Sequence, residues 1–149
     1  MDENLKIERI TELPDSLMTL VVESEQQGYR FLRRLVNHFQ NGENRFCCTG
    51  EALFATTYQG ALVGIGGVNI QPDSEGMVGR VRHLYVANRY RHLGIGRQIM
   101  AVIEQHSQHH FAKLVLFTDT SSAEKFYLSL GYEPVNLPKI SHQKWLIPN

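Results

Sequence analysis

Apolar residues recur with two different periods along the chain, and the change of period separates strands from helices. Alternation in LKIERI predicts a short first strand. From Asp15 to Phe39 the apolar residues lie three and four positions apart on either side of Gly28, which predicts two amphipathic helices. The runs ALFATTY and ALVGIGGVNI, joined by Gln59-Gly60, predict an antiparallel hairpin, because glycine adopts the positive φ of a tight turn.

The second half of the chain alternates strand and helix patterns. A strand in RVRHLYV leads into a helix whose apolar face begins at Ile95, and KLVLFT follows as a buried strand, so the three form a βαβ unit. Another helix around Phe126 ends at Gly131, and a last strand is predicted from Ile140 to Leu146. The predicted order is βααβββαβαβ, an α/β (α+β) layered sheet whose first half is mostly antiparallel.

Composition narrows the classes of function. The 149 residues, 42% of them hydrophobic, predict a single domain, 1–149. Fifteen basic and fifteen acidic residues balance, so we expect no nucleic-acid or membrane partner. Adjacent Cys47 and Cys48 suit neither a disulfide framework nor a metal knuckle, and no targeting segment is evident, so we expect a cytoplasmic protein. His106, His109 and His110 lack a completing ligand pattern, so we predict no metal site.

The stretch NRYRHLGIGRQIM joins a predicted strand to a predicted helix and has the features of an anion site. The first turn of a helix has unpaired N–H groups, and Gly94 and Gly96 allow the backbone to approach an oxyanion. Arginines on either side add positive charge, so a pyrophosphate is the predicted ligand. Ile99 stands where a dinucleotide fingerprint needs its third glycine, and GRQI lacks the Lys-Ser/Thr of a Walker loop, so nicotinamide and ATP are disfavoured.

Three segments resemble the GCN5-related N-acetyltransferase (GNAT) family. RHLGIG, from Arg91 to Gly96, resembles its Arg/Gln-x-x-Gly-x-Gly/Ala pyrophosphate motif, LYV its splayed fourth strand, and AEKFYLSLGY its tyrosine-bearing helix. The resemblance implies a mixed, splayed central sheet with helices on both faces, and acetyl-CoA as co-substrate. The cofactor-binding residues that it implies are Leu84, Tyr85, Val86, Arg91, His92, Leu93, Gly94, Ile95, Gly96, Arg97 and Thr120.

The chain departs from the family pattern at four positions. Asn88 stands where proline is common, and His92 stands where glycine is common. Thr120 occupies the position of an asparagine that contacts the cofactor in many relatives. Arg80 replaces a strand glutamate that many relatives use as a base, so the proton acceptor stays open.

Acyl transfer from a thioester to an amine needs a base for the amine, a donor that polarises the carbonyl, and an acid for the departing thiolate. Tyr127 is the predicted general acid, because a phenol with a reference pKa of about 10 is protonated at neutral pH; the alternative is a core aromatic. Backbone N–H groups near Leu84 to Val86 are the predicted carbonyl donors. Glu75, His83 and a water relay are the candidate bases.

Two classes of function remain open at this stage. The first is an N-acetyltransferase in which an amine of a small molecule or peptide attacks acetyl-CoA directly in a ternary complex. The second is a non-catalytic acyl-CoA-binding sensor of the same fold, which the absent strand glutamate keeps open and Tyr127 argues against. A homodimer is compatible with either class. Residues that could select a carboxylate-bearing acceptor are Arg30, Arg34, Asn69 and Arg82.

Overall fold

The computed structural model describes residues 4–146, which form seven strands, four α-helices and one turn of 3₁₀ helix. The strands are β1 (Leu5–Ile10), β2 (Ala52–Tyr58), β3 (Ala61–Ile70), β4 (Val78–Val86), β5 (Lys113–Leu116), β6 (Glu133–Leu137) and β7 (Ile140–Trp145). The helices are α1 (Leu17–Gln26), α2 (Phe31–Asn41), α3 (Ile95–Ser107) and α4 (Ser121–Ser129), with the 3₁₀ turn at Asn88–Tyr90.

All seven strands belong to one sheet, in the order β1-β2-β3-β4-β5-β7-β6. Strands β1 to β4 are antiparallel, and β4 pairs with β5 in parallel through the α3 crossover. The predicted hairpin turn is present, with φ of 52° at Gln59 and 84° at Gly60. The antiparallel first half and the βαβ unit are therefore both observed as the sequence pattern predicts.

Helices cover both faces of the sheet, which confirms the α/β (α+β) architecture. The core on one face contains Ile99 and Ile103 of α3 and Tyr127 of α4. The core on the other face contains Leu20 of α1 and Leu35 of α2. Full burial of one such aliphatic side chain contributes about 1.5–3 kcal/mol, so these two apolar stripes hold the layers together.

Glycines of β3 determine how closely α3 approaches the sheet. A Cβ atom at Gly64 would lie 2.9 Å from Ile99 Cδ1. A Cβ atom at Gly66 would lie 3.1 Å from both Ile99 Cγ2 and Leu84 Cδ1. The GIGG segment, whose role the sequence leaves open, thus permits close packing of α3 over β3 and β4.

The predicted order of elements omits one strand, β6, which pairs antiparallel with β7 at the edge of the sheet. Pro134 lies within β6 and Pro138 follows it, and both residues read as strand breakers in the sequence. An edge strand tolerates proline because one side of it has no ladder partner. The predicted last strand, Ile140 to Leu146, is observed one residue shorter as β7.

Candidate active site

Strands β4 and β5 separate at the centre of the sheet. Their parallel pairing ends where Arg80 lies opposite Val115, whereas β4 stays paired with β3 as far as Val86. Within residues 4–146, the edge of β4 beyond Arg80 therefore has no neighbouring strand on the β5 side. An extended ligand can bind such an edge through main-chain hydrogen bonds, as an added strand does.

A β-bulge lies in β4 beside this opening. Arg82 pairs with Gly67 and Tyr85 pairs with Ile65, so two residues of β4 share one partner on β3. One of the two, His83, has φ of 63°, a left-handed value that is uncommon outside glycine. Backbone strain of this kind is frequent at functional sites.

Backbone hydrogen bonds show which residues of β4 face the opening. The N–H of Ala87 donates to the Val63 carbonyl of β3 at 2.8 Å. Because successive residues of a strand alternate in direction, Val86 and Leu84 point away from β3. The carbonyl of Val86 accepts a hydrogen bond from Arg91 Nε at 3.0 Å, which agrees with that direction. Leu84 and Val86, two of the three predicted strand residues, thus direct main-chain groups into the opening.

The N-terminus of α3 forms the end wall of the site. Gly94 is the N-cap residue, with φ of 86° and no side-chain cap. The first turn closes when Gln98 N–H donates to the Gly94 carbonyl at 3.1 Å, so the N–H groups of Ile95, Gly96 and Arg97 precede the helical ladder. No heavy atom of residues 4–146 outside the adjoining backbone would lie within 4 Å of a Cβ at Gly94. Open donors and the helix dipole suit an anion here.

Gly96 lies where α3, α4 and β4 converge. A Cβ atom at this position would lie 3.4 Å from Phe126 of α4 and 3.7 Å from Val86 of β4. These are ordinary contact distances, so packing within the protein does not exclude a Cβ here, and the close approach of a ligand is the reason to expect glycine.

Arg91 is held by other residues of the protein. Its guanidinium donates to the Val86 carbonyl at 3.0 Å and to Gln27 Oε1 at 2.9 Å. It also lies 5.1 Å from the centre of the Tyr85 ring. Arg91 therefore fastens the glycine loop to β4 and to the C-cap residue of α1, and its direct contact with pyrophosphate stays a prediction.

The remaining predicted cofactor residues occupy different parts of the same end of the sheet. His92 and Leu93 are exposed in the loop, and His92 has φ of 65°, which explains in physical terms why glycine suits this position. Arg97 is exposed and donates to Ser129 of α4 at 3.0 Å. Thr120 is the N-cap of α4, and its hydroxyl accepts from Ala123 N–H at 3.3 Å.

Tyr127 is buried at the C-terminal end of α4, with 8% of its surface exposed. Its carbonyl accepts from Tyr132 N–H at 3.1 Å, and Gly131 has φ of 92°, so a Schellman cap fixes this turn. Among the described residues, the Tyr127 hydroxyl has no hydrogen-bond partner. Burial raises the pKa of Tyr127 above its ordinary value, so the phenol is a proton donor at neutral pH.

The two predicted side-chain bases lie in contrasting places. Glu75 is exposed in the loop before β4, at the opposite end of the strand from Gly94, and has φ of 56°. His83 is 7% exposed in the bulge. Burial, and then the charges of Arg82 and Arg34, lower the pKa of His83 to about 3. A histidine of that pKa is a weak base at neutral pH, because proton acceptors act best when their pKa is near the working pH.

Helix α1 contributes polar residues to the site that sequence reasoning missed. The Tyr85 hydroxyl donates to the Glu23 carboxylate, which also accepts from Asn88 N–H at 3.0 Å. Burial, followed by the hydrogen bond to Glu23, raises the pKa of Tyr85. Glu23 in the helix and Gln27 at its C-cap are four residues apart, a spacing typical of the solvated face of an amphipathic helix. No signal in the sequence alone distinguishes them from such a face.

A buried histidine anchors α4 to the sheet and was also missed. His142 of β7 is 2% exposed. Its Nε2 lies 3.0 Å from Glu124 Oε2, and its Nδ1 lies 2.8 Å from the Ser141 hydroxyl. Ser141 in turn accepts from Thr118 N–H at 2.8 Å, which ties the loop after β5 to β7. These contacts hold the helix that carries Tyr127.

Two further properties concern the described part of the chain, residues 4–146. None of its helices is both long enough and apolar enough to cross a membrane. In the same range, no three or more His, Cys, Asp or Glu side chains are grouped so that they could bind a metal ion.

Comparison with known proteins places this site in a family. The model of the acetyltransferase (GNAT) domain family matches residues 20–148. Since the match covers most of the chain, the chain belongs to the GNAT family, as the glycine motif and the tyrosine-bearing helix suggest. Among curated protein sequences, none matches this chain.

Solved structures of acetyltransferases have the same fold. A protein from Exiguobacterium sp. 255-15, provisionally assigned as an acetyltransferase, is 27% identical, with a TM-score of 0.86 over 97% of this chain and 94% of its own. An aminoglycoside 6′-N-acetyltransferase in complex with coenzyme A is 19% identical, with a TM-score of 0.73 over 97% and 98%. A GNAT acetyltransferase from Elizabethkingia anophelis with bound acetyl-CoA is 19% identical, with a TM-score of 0.60 over 91% and 80%.

Proposed function

We propose that this chain is an N-acetyltransferase that transfers the acetyl group of acetyl-CoA to a primary amine of a small molecule or peptide by direct attack in a ternary complex. The observation that carries the proposal is the opening between β4 and β5 together with the uncapped N-terminus of α3 at its end. That coenzyme A or acetyl-CoA is bound in two structures of the same fold supports it. A single domain and a cytoplasmic location stay predictions.

The geometry suits the two ends of acetyl-CoA. The free N–H groups at the start of α3, beginning with Ile95, match the negative charge of a pyrophosphate. The free edge of β4, with main-chain groups of Leu84 and Val86, matches an extended amide-bearing arm. Both features depend on backbone atoms, so they do not require the asparagine that Thr120 replaces.

The chemical step needs little from the protein beyond positioning and one proton donor. The N–H groups of Leu84 and Val86 polarise the thioester carbonyl while the amine nitrogen attacks its carbon. As the new C–N bond forms, the C–S bond breaks, and Tyr127 gives its proton to the departing sulfur. Its raised pKa keeps Tyr127 protonated before each turnover.

The amine must also lose a proton. Arg80 cannot accept one, and it already donates to Gln71 Oε1 at 2.6 Å and to the Lys139 carbonyl at 2.9 Å. His83 has too low a pKa for efficient proton transfer, and Glu75 lies beyond the far end of β4. We therefore favour a relay of water molecules in the opening, rather than Glu75 or His83, as the base. The relay carries the proton of the amine to bulk solvent.

The sensor function remains the second candidate because of Arg80. Arg80 stands where many relatives have a glutamate that acts as the base, so the usual side-chain proton acceptor is absent. Release of free thiol from acetyl-CoA, measured with a panel of primary amines and with no amine, separates the two candidates. Amine-dependent release supports the transferase, whereas tight acetyl-CoA binding without release for any amine supports the sensor.

A further inference from the structure

The face of β4 directed toward α1 and α2 is charged, unlike the face that packs on α3. Val81 belongs to the core on the α3 side, so Arg82 points to the opposite face. His83 follows it there, with its ring stacked on Phe31 of α2 at 6.4 Å and edge-on to Phe46 at 6.1 Å. Arg34 lies three residues after Phe31, on the same side of α2, and so faces this part of β4.

The positive charge on this face is not neutralised by an ion pair. Among the described residues, neither Arg34 nor Arg82 forms a salt bridge or a side-chain hydrogen bond. Burial, followed by the charge of Arg34, lowers the pKa of Arg82 from its usual value. Because a guanidinium nonetheless stays charged in proteins, Arg82 keeps its positive charge in this partly buried position.

The carboxylate of Glu51 is already hydrogen-bonded to other groups and does not pair with Arg82. Glu51 is buried, and it attracts Arg82 only through space. Its carboxylate oxygens accept from Cys48 N–H at 3.2 Å, from Ile70 N–H at 2.9 Å and from Asn69 Nδ2 at 3.1 Å. Asn69 also exchanges two hydrogen bonds of 2.9 Å with Asn44, so its amide is saturated and is not available to an acceptor.

A second observation at the same place indicates an absent partner. The Nδ1 atom of His83 is buried and has no hydrogen-bond partner among the described residues, although the nearby Phe31 backbone acts on the ring and, against the larger lowering by burial, raises its pKa. An unpaired buried polar atom is costly, so such atoms commonly mark a position that a ligand or water fills. The charges of Arg82 and Arg34 both act on the His83 ring, and positive charge at this place favours an anion.

We infer that the acetyl acceptor is an amine that also carries a carboxylate, and that Arg34 and Arg82 bind this carboxylate beside His83. The inference rests on the proposed transferase function and adds the class of its substrate. Planar guanidinium groups match the two oxygens of a carboxylate. Because this face of β4 is opposite the α3 side, the acceptor and the coenzyme would reach the bulge from different directions.

The test compares standard amino acids as free acids with the same amino acids as carboxamides, using thiol release from acetyl-CoA. We expect the acids to have the higher kcat/KM, by roughly 10-fold or more, since charged hydrogen bonds are lost in the amides. The amides of Asp and Glu separate a side-chain carboxylate from an α-carboxylate. Arg34→Gln and Arg82→Gln should raise KM for the acids by about 10- to 100-fold and leave the amides within about twofold.

Arg33→Gln is the matched control, because Arg33 is adjacent on α2 but its guanidinium is paired with Glu25 at 2.9 Å. The Arg33→Gln variant should leave KM unchanged for both the acids and the amides. Arg34 is exposed on a helix, so its variant is expected to fold even if the Arg82 variant does not. Equal use of acids and amides, or an Arg34→Gln loss that is the same for both sets, would overturn the inference. A loss of CoA affinity in this variant would also overturn it, since it would place the arginines in the coenzyme site.

A binding measurement keeps the inference separate from the proposed function. If no amine gives thiol release, the transferase proposal fails, and calorimetry with N-acetylglycine and N-acetylglycinamide then tests the anion site alone. Preferential binding of the acid, weakened by Arg34→Gln, supports the carboxylate site. Binding of neither compound, or of both equally, overturns it.

Discussion

The two faces of β4 present different chemical groups. On the α3 side, the site consists mainly of backbone: a free strand edge, the N–H groups before the first helical bond, and glycines at positions 94 and 96. On the α2 side, the proposed carboxylate site consists of side chains, namely Arg34, Arg82 and His83. Backbone chemistry depends on glycines at fixed spacing, whereas side-chain chemistry depends on residues from distant segments that only folding brings together. The first can be recognised from local spacing in one sequence, whereas for the second the sequence offers candidate side chains but not the way they come together.

The largest effect is expected on the backbone side, at Gly94. Gly94→Glu should weaken CoA binding by more than about 100-fold, because a carboxylate would stand before the helix N-terminus and repel the pyrophosphate. The φ of 86° also disfavours any side chain at this residue. Calorimetry with CoA measures the change.

Gly42→Glu is the control for backbone strain, since Gly42 also has φ of 86° and no neighbour within 4 Å of a Cβ among the described residues. It caps the far end of α2 and should leave CoA affinity unchanged. Unchanged CoA affinity in a folded Gly94→Glu protein would mean that the pyrophosphate binds elsewhere.

The second effect concerns Tyr127, whose side chain lies in the core on the α3 side of the sheet. Tyr127→Phe keeps the ring in its core position and removes the proton donor, so the chemical step should slow by about 10²- to 10⁴-fold. CoA affinity should stay near that of the wild type. A single-turnover assay with a good acceptor is the appropriate measurement, because product release can mask a slower chemical step.

Tyr132→Phe provides the comparison, because Tyr132 packs 5.5 Å from the Tyr127 ring and its hydroxyl donates to Glu104 at 2.9 Å. Its loss should affect stability by about 1 kcal/mol or somewhat more, and leave the chemical step intact. If Tyr127→Phe transfers acetyl within about twofold of the wild type, Tyr127 is a core aromatic and another group is the acid.

The limits of sequence reasoning follow the same division between backbone and side chain. The helix beginning at Ile95 and the cap at Gly131 were predicted correctly, because each depends on local periodicity and glycine conformation. Strand β6 was missed because Pro134 suggests a break, and only its edge position makes proline acceptable.

The hydrogen-bond partners of some predicted residues could not be foreseen, because these partners lie far away in the sequence. Arg91 was predicted as an anion ligand, yet its hydrogen bonds reach Gln27, which lies 64 residues earlier in the chain. Asn69 was a candidate for acceptor selection, yet its amide is used by Glu51 and Asn44. Neither partner could be identified from one sequence, because the pairing of polar groups is set by tertiary structure rather than by spacing.

The third effect, on stability rather than on binding or rate, is expected on the side-chain face through its dependence on pH. Burial, with the charges of Arg82 and Arg34, lowers the pKa of His83 from 6.5 to about 3 in the folded protein. Well above pH 6.5 both folded and unfolded chains hold this ring neutral, so its contribution there is constant. As pH falls from 6.5 toward 3, the unfolded chain binds a proton that the folded chain does not. The free energy of unfolding should then decrease by up to about 1.4 kcal/mol per pH unit.

His83→Asn tests this prediction, because asparagine tolerates the left-handed backbone but does not titrate. Burial also lowers the pKa of His106, so the wild type has acid sensitivity from a second ring, and the informative quantity is the difference between variants. Denaturant unfolding at several pH values should show a shallower acid slope for His83→Asn than for the wild type. The control His92→Asn changes an exposed histidine with a similar left-handed φ of 65° and should not reproduce this shallower slope. Parallel slopes for His83→Asn and the wild type would mean that the folded protein can protonate His83, so the α2 side of β4 would be less positive than the unpaired arginines imply.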